Sequence, residues 1–236
     1  MNGFRNHVSV VALLVAAVSV SGCLRGGGGG GGGGGATDLD GIFAEVQALG
    51  LTQNMPTELD ATYEGGVKLG VSGAAQTGRV PSGTISYDDA DAIVTGDLSI
   101  NITWNESMSP NADISGTADN FQMTRMDNGS EITRGLDGSL SVTEGSGGII
   151  RTTFQAPDIM IPDGVATGSI SFGMTGTLTD TETDESVSPS LLFGGQFYGD
   201  GAEAAYGTAS GLIYEDPELS IPDGTAIGEF FLKKKP

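Results

Sequence analysis

The chain has 236 residues, with 30 acidic against 10 basic and a formal net charge of −20. So acidic a balance leaves no basic face for nucleic-acid phosphates or anionic lipid headgroups. The single cysteine (Cys23) and the single histidine (His7) both lie near the N-terminus, which excludes an internal disulfide, a Ser-His-Asp triad, a Cys-His pair and a His/Cys zinc site from the remainder. Catalysis would fall to carboxylates, Tyr or Lys, and no spacing of paired carboxylates supports it. The chain therefore reads as a non-enzyme that needs no cofactor and no metal.

Residues 1–22 read as a lipoprotein signal peptide. Arg5 precedes an apolar run from Val8 to Val20, too short to span a bilayer as a helix. The run ends in Val20-Ser21-Gly22-Cys23, which resembles the bacterial lipobox; a plain secretory cleavage site with an incidental cysteine is the alternative. The resemblance implies that Cys23 is acylated, palmitate included, and anchors the protein in the membrane. Several acyl chains make a stable anchor, at roughly 0.8 kcal/mol per buried CH₂. In similar lipoproteins a residue other than Asp after the cysteine, here Leu24, implies export to the outer membrane. The expected location is the outer membrane, at the cell surface.

Residues 23–35 carry the lipidated cysteine and the glycine run Gly26–Gly35. Poly-Gly behaves as a disordered coil with a root-mean-square span of roughly 17–19 Å for ten residues, a tether rather than a structural element. Residues 36–236 form the folded part. Thr37 and Asp40 resemble a capping box, and Leu39, Ile42, Phe43, Val46 and Leu49 fall at helical spacing before Gly50. This predicts one amphipathic helix over about 38–49, with its apolar stripe packed on the end of the domain that follows; a partner-binding helix is the alternative.

From about Tyr63 the period changes to two. Leu98, Ile100, Ile102 and Trp104 alternate with Ser99, Asn101 and Thr103, as do Ile170, Phe172 and Met174 with Ser169, Ser171 and Gly173. Asn128-Gly129, between runs 121–125 and 132–136, predicts a type I′ hairpin. Further runs lie near 67–71, 84–87, 92–96, 139–143, 149–154, 191–198, 208–214 and 226–232. Many short strands predict an antiparallel sandwich or barrel. Trp104 is expected in the core. PDIMIPDGVATGSISF (157–172) resembles PELSIPDGTAIGEFFL (217–232), which suggests two equivalent corners or a duplicated binding loop. The acidic stretch TDTETDESVSPS (179–190) reads as a solvated loop, with a weak calcium site as the alternative. Lys233-Lys234-Lys235 reads as a solubilising tail.

Residues 194–211, GGQFYGDGAEAAYGTASG, fit two strands joined by a glycine turn, with Phe197 and Tyr198 on opposite faces. A phosphate-cradling loop would need a following helix and a nearby Lys, and neither is present. Gly195, Phe197, Tyr198, Gly199, Ala202, Glu203 and Gly207 resemble the closing motif of the transferrin-binding protein B type β-barrel, shared by the factor H binding lipoproteins. A lipidated cysteine followed by a glycine tether is similar too, as is Ala112–Thr117. The resemblance covers about 60–236. It implies an eight-stranded antiparallel barrel, with the motif in a structural role and the Glu203 carboxylate accepting backbone N–H groups in the turn. It also implies a protein partner of host or iron-acquisition type, bound through the barrel loops. The chain has room for one barrel, whereas the transferrin receptors have two lobes. The competing reading is a lipocalin-like carrier of a small apolar or haem-type ligand.

Overall fold

A computed structural model describes residues 39–73, 90–127, 130–143, 148–156, 164–216, 218 and 221–236. Residues 1–35 and 36–236 form separate units. The signal peptide, Cys23, the glycine tether, Thr37 and the run 84–87 lie outside the described residues, as do Asn128-Gly129.

The fold is all-β with one short helix. Helix α1 spans Leu39–Ala48. The strands are β1 (Glu58–Gly73), β2 (Ala92–Asn105), β3 (Asn111–Asp127), β4 (Ser130–Val142), β5 (Gly148–Gln155), β6 (Val165–Asp180), β7 (Ser186–Tyr198), β8 (Ala204–Tyr214) and β9 (Gly224–Lys234). Every strand pairs antiparallel, and β9 returns to β1, with Tyr63 opposite Lys234 and Gly73 opposite Gly224. β2 also pairs with β3, so the sheet closes into a ring. β4 and β5 occupy one lane between them. β4 lies along the C-terminal half of β6 and β5 along its N-terminal half. The result is an up-and-down barrel of eight lanes closed into a ring, although β5 meets β3 only at Gly148 and Ile149 and pairs beyond them with β6 alone.

Alternation sets the two faces. Leu98, Ile100, Ile102 and Trp104 point inward and are buried, while Asn101 and Thr103 are exposed. This apolar-in, polar-out order is the reverse of a membrane-spanning barrel. The runs 92–96 and 98–104 form one strand, interrupted by a register shift between Thr95 and Asp97. The 121–136 region forms a hairpin, with Asp127 opposite Ser130.

Three expectations need correction. First, α1 lies against the outer wall of the barrel rather than across its end. Val46 is buried against Ala204 and Phe231, and the Phe43 ring meets Tyr206 edge-on at 5.1 Å. Phe231 faces outward on β9, between inward Phe230 and Leu232, and so offers the helix an apolar seat. Second, Lys233 and Lys234 end β9 rather than forming a free tail. Lys233 pairs with Glu45 at 2.9 Å and Lys235 with Glu64 at 2.6 Å. Third, the two Ile-Pro-Asp-Gly stretches, of which Ile161-Pro162-Asp163 lie outside the described residues, do not lead into equivalent positions of the fold. One precedes β6 and the other precedes β9, and these strands start at opposite ends of the barrel. Gly164 takes φ +72°, while Gly224 is a strand residue.

Candidate functional site

The ends of the barrel are built differently. At one end the segment 50–57, between α1 and β1, runs across the opening and docks on the β7–β8 turn. Gly199 N–H donates to the Gly50 carbonyl at 3.0 Å, and Thr52 N–H to the Phe197 carbonyl at 3.0 Å. Thr52 Oγ1 donates to the Gly199 carbonyl at 2.8 Å. Asn54 bonds the turn twice, donating Nδ2–H to Asp200 and accepting at Oδ1 from Gly201 N–H at 3.0 Å. Met55 N–H donates to Ala166, whose own N–H donates to Gln53, each at 2.8 Å. Met55 is buried beneath this strap.

The motif residues meet at this sealed end. Gly199 and Gly201 turn with φ +75° and +59°, and Ala202 follows at +64° while fully buried. The Tyr63 hydroxyl donates to the Ala202 carbonyl at 2.6 Å, and burial pushes this phenol far above its ordinary pKa. Phe197 points in and is 1% exposed, while Tyr198 points out toward α1. Gly195 lies opposite Gly207; a Cβ on Gly207 would sit 2.1 Å from the Gly194 carbonyl oxygen, so only glycine allows β7 and β8 to approach this closely. Glu203 departs from the role its resemblance implies. It is exposed, and its Oε2 lies over Gly199, where a Cβ would stand 2.6 Å away. The strap takes the N–H groups of Gly199 and Gly201 instead.

The middle of the barrel is filled with rings. Phe172 and Phe193 stack at 4.9 Å, and Phe230 meets them edge-on at 6.0 and 5.4 Å. Trp104 is 1% exposed, in the core as expected, and its indole N–H finds no protein partner among the described residues.

The other end carries the β1–β2, β3–β4, β6–β7 and β8–β9 connections and is called the loop end below. Its interior is mostly aliphatic, with Phe121 and Met123 among the side chains, and they do not fill it. A cavity of about 250 Å³ remains, walled by Leu69, Val71, Val94, Phe121, Met123, Leu136, Leu140, Leu178, Val187, Pro189, Leu191, Ile213 and Ala226. Arg125, Asp180 and Glu185 stand at its edge. The stretch 179–190 forms the β6–β7 hairpin, and its tip, 181–186, is exposed as a solvated loop would be. Asp180 accepts from the N–H groups of Glu182 and Thr183 at 2.8 and 3.3 Å and pairs with Arg134 at 3.4 Å. The Glu182 N–H first, and then Thr183 and Arg134, hold the Asp180 carboxyl below its usual range. These carboxylates serve the turn; no three potential ligands converge on a metal position among the described residues.

Thr52, Asn54, Tyr63 and Arg125 were not singled out from the sequence. Alternation alone could have flagged Arg125, which continues the inward series Phe121, Met123. Nothing local marks Asn54, because its partners lie 146 and 147 residues away.

No protein-family profile, no curated protein and no solved structure matches the chain. The resemblance to the transferrin-binding protein B type barrel therefore rests on the sequence motifs alone.

Proposed function

We propose that the protein is a lipid-anchored binding protein of the bacterial outer membrane, held through Cys23 and exposed at the cell surface. It recognises a protein partner of host or iron-acquisition type through the connections at the loop end. The observation that supports this most is the asymmetry of the barrel. A strap seals one end, and at the other the rigid wall presents the β6–β7 turn and the strand ends from which the remaining connections start. The lipobox-like Cys23 and the glycine tether support the anchor.

A second reading, a carrier of a small apolar ligand, is favoured by the cavity of about 250 Å³ inside the loop end. Both readings make the loop end the recognition end and require no chemistry.

Protease shaving of intact cells, followed by detection of residues 36–236, tests the location. Loss of signal with a periplasmic control intact is the expected result, and a protected domain would overturn the surface assignment. Partner capture then tests the recognition end. Changes in the β6–β7 turn (181–185) should abolish capture, while Asp200→Ala at the sealed end should not. The reverse pattern would overturn it.

A further inference from the structure

We propose that the loop-end half of the barrel binds a medium-length alkyl carboxylate, with the alkyl body in the cavity and the carboxylate on Arg125. The proposal rests on the reading that the loop end is the recognition end, and it names a ligand class for it.

Three observations meet here. The first is an apolar void that the fold leaves in place. Its volume of about 250 Å³ is walled by side chains such as Leu69, Val94, Leu178 and Ile213. That is roughly eight water volumes, and a methylene is of similar size, so the body has about eight carbons. A void lined this way by apolar side chains accepts apolar guests. Each added methylene should tighten binding about fourfold until the cavity is full.

The second is the placement of Arg125. It stands on the inward face of β3, in register with Ile132 on β4, where the apolar wall meets the mouth. A guanidinium offers a planar fork that fits a carboxylate bidentately.

The third is how the neighbouring charges are used. Arg134, opposite Met123 and one step deeper, is taken by Asp180 at 3.4 Å and Glu182 at 3.1 Å. Asp180 is committed to its turn and to Arg134, and Glu185 accepts from Thr183 at 3.3 Å. The Arg125 guanidinium makes no hydrogen bond or ion pair with another described residue. A half-buried cation beside an apolar void, in a chain of net charge −20, is arranged for an anion from outside.

The test uses the secreted full chain with Cys23→Ser, so that no detergent competes for the cavity. Calorimetry would titrate octanoate and octanol into this protein and into its Arg125→Gln and Leu178→Trp variants. Circular dichroism and thermal melts would establish that each variant folds. Octanoate should bind once per chain and at least tenfold more tightly than octanol. Arg125→Gln should bring octanoate to the octanol level, and Leu178→Trp, which fills the void, should abolish both. Equal binding of octanoate and octanol would remove Arg125 from the site. Unchanged binding by folded Leu178→Trp would place the ligand elsewhere, and no binding of either probe would overturn the pocket. These outcomes are separable from the partner reading: octanoate binding by a protein that captures no partner leaves the pocket standing, and capture without octanoate binding leaves only the rim.

Discussion

The sealed half and the loop half of this barrel share the same strands but fill their interiors differently. Around the sealed half, Tyr63, Trp104, Phe172, Phe193, Phe197 and Phe230 occupy the lumen. β8 makes room for them with Ala205, Gly207 and Ala209 on its inward face. In the loop half the same lanes carry Leu, Val and Ile, and a void survives. An eight-stranded barrel is wide enough that aromatic rings fill it and aliphatic chains need not. One half is therefore built for stability, and the other keeps space.

Substitutions should separate the halves by size of effect. Gly207→Val drives a side chain into the Gly194 carbonyl, where a Cβ alone would stand at 2.1 Å. It should cost about 4 kcal/mol or more, seen as loss of the cooperative urea transition. Phe193→Ala, in the stacked cluster, should cost about 3–5 kcal/mol. Leu178→Ala borders the existing void and should fall near the lower limit for such a change, about 2 kcal/mol. Equal costs for these two would break the comparison.

Two buried alanines sharpen it. Ala209 faces the ring-filled layer opposite Phe193, and Ala226 faces the void. Ala209→Leu should destabilise by about 1–3 kcal/mol through overpacking. Ala226→Leu should stabilise by about 0.5–1 kcal/mol by filling space. Matching signs in urea melts would mean that the halves are packed alike.

Tyr63→Phe removes the donor to the Ala202 carbonyl and should cost about 1–3 kcal/mol. The same contact has a pH signature. Burial raises the phenol of Tyr63, and burial together with the Glu229 carboxylate raises that of Tyr206. Their folded pKa values lie above the unfolded value, so this stability is complete below about pH 10 and is lost as the pH rises beyond it. Phenolate absorbance of these two residues should therefore appear together with unfolding, and early ionisation of the folded protein would contradict their burial.

The smallest expected effect is at acid pH. Asp180 has a lowered pKa, so its contribution is present above the ordinary carboxylate pKa and is lost as the pH falls through the folded value. Asp180→Asn should flatten the acid limb of the stability curve slightly and leave the alkaline limb unchanged.

Much of the fold was legible in the residue order because its signals are local. Period-two alternation marked nearly every strand, the helical stripe marked α1 to within a residue at each end, and Asn128-Gly129 marked the β3–β4 hairpin. The lysines 233–235 were misread because a charged strand end resembles a tail until its pairing with Thr62 and Glu203 is known. The anchoring of the acidic stretch 179–190 was not legible for a related reason: Arg134, which partners Asp180, comes from another strand.

Residue order alone establishes an all-β chain with apolar and polar faces, a glycine turn at 199–201 and a core free of thiol and imidazole. Those features follow from neighbours a few positions apart, where alternation and turn chemistry act. The return of β9 to β1, the strap of 50–57 across one end, and the void that shares the other end with Arg125 emerge only in the assembled fold. Each of these depends on groups brought together from distant parts of the chain, and residual volume is a property of the assembled wall rather than of any strand within it.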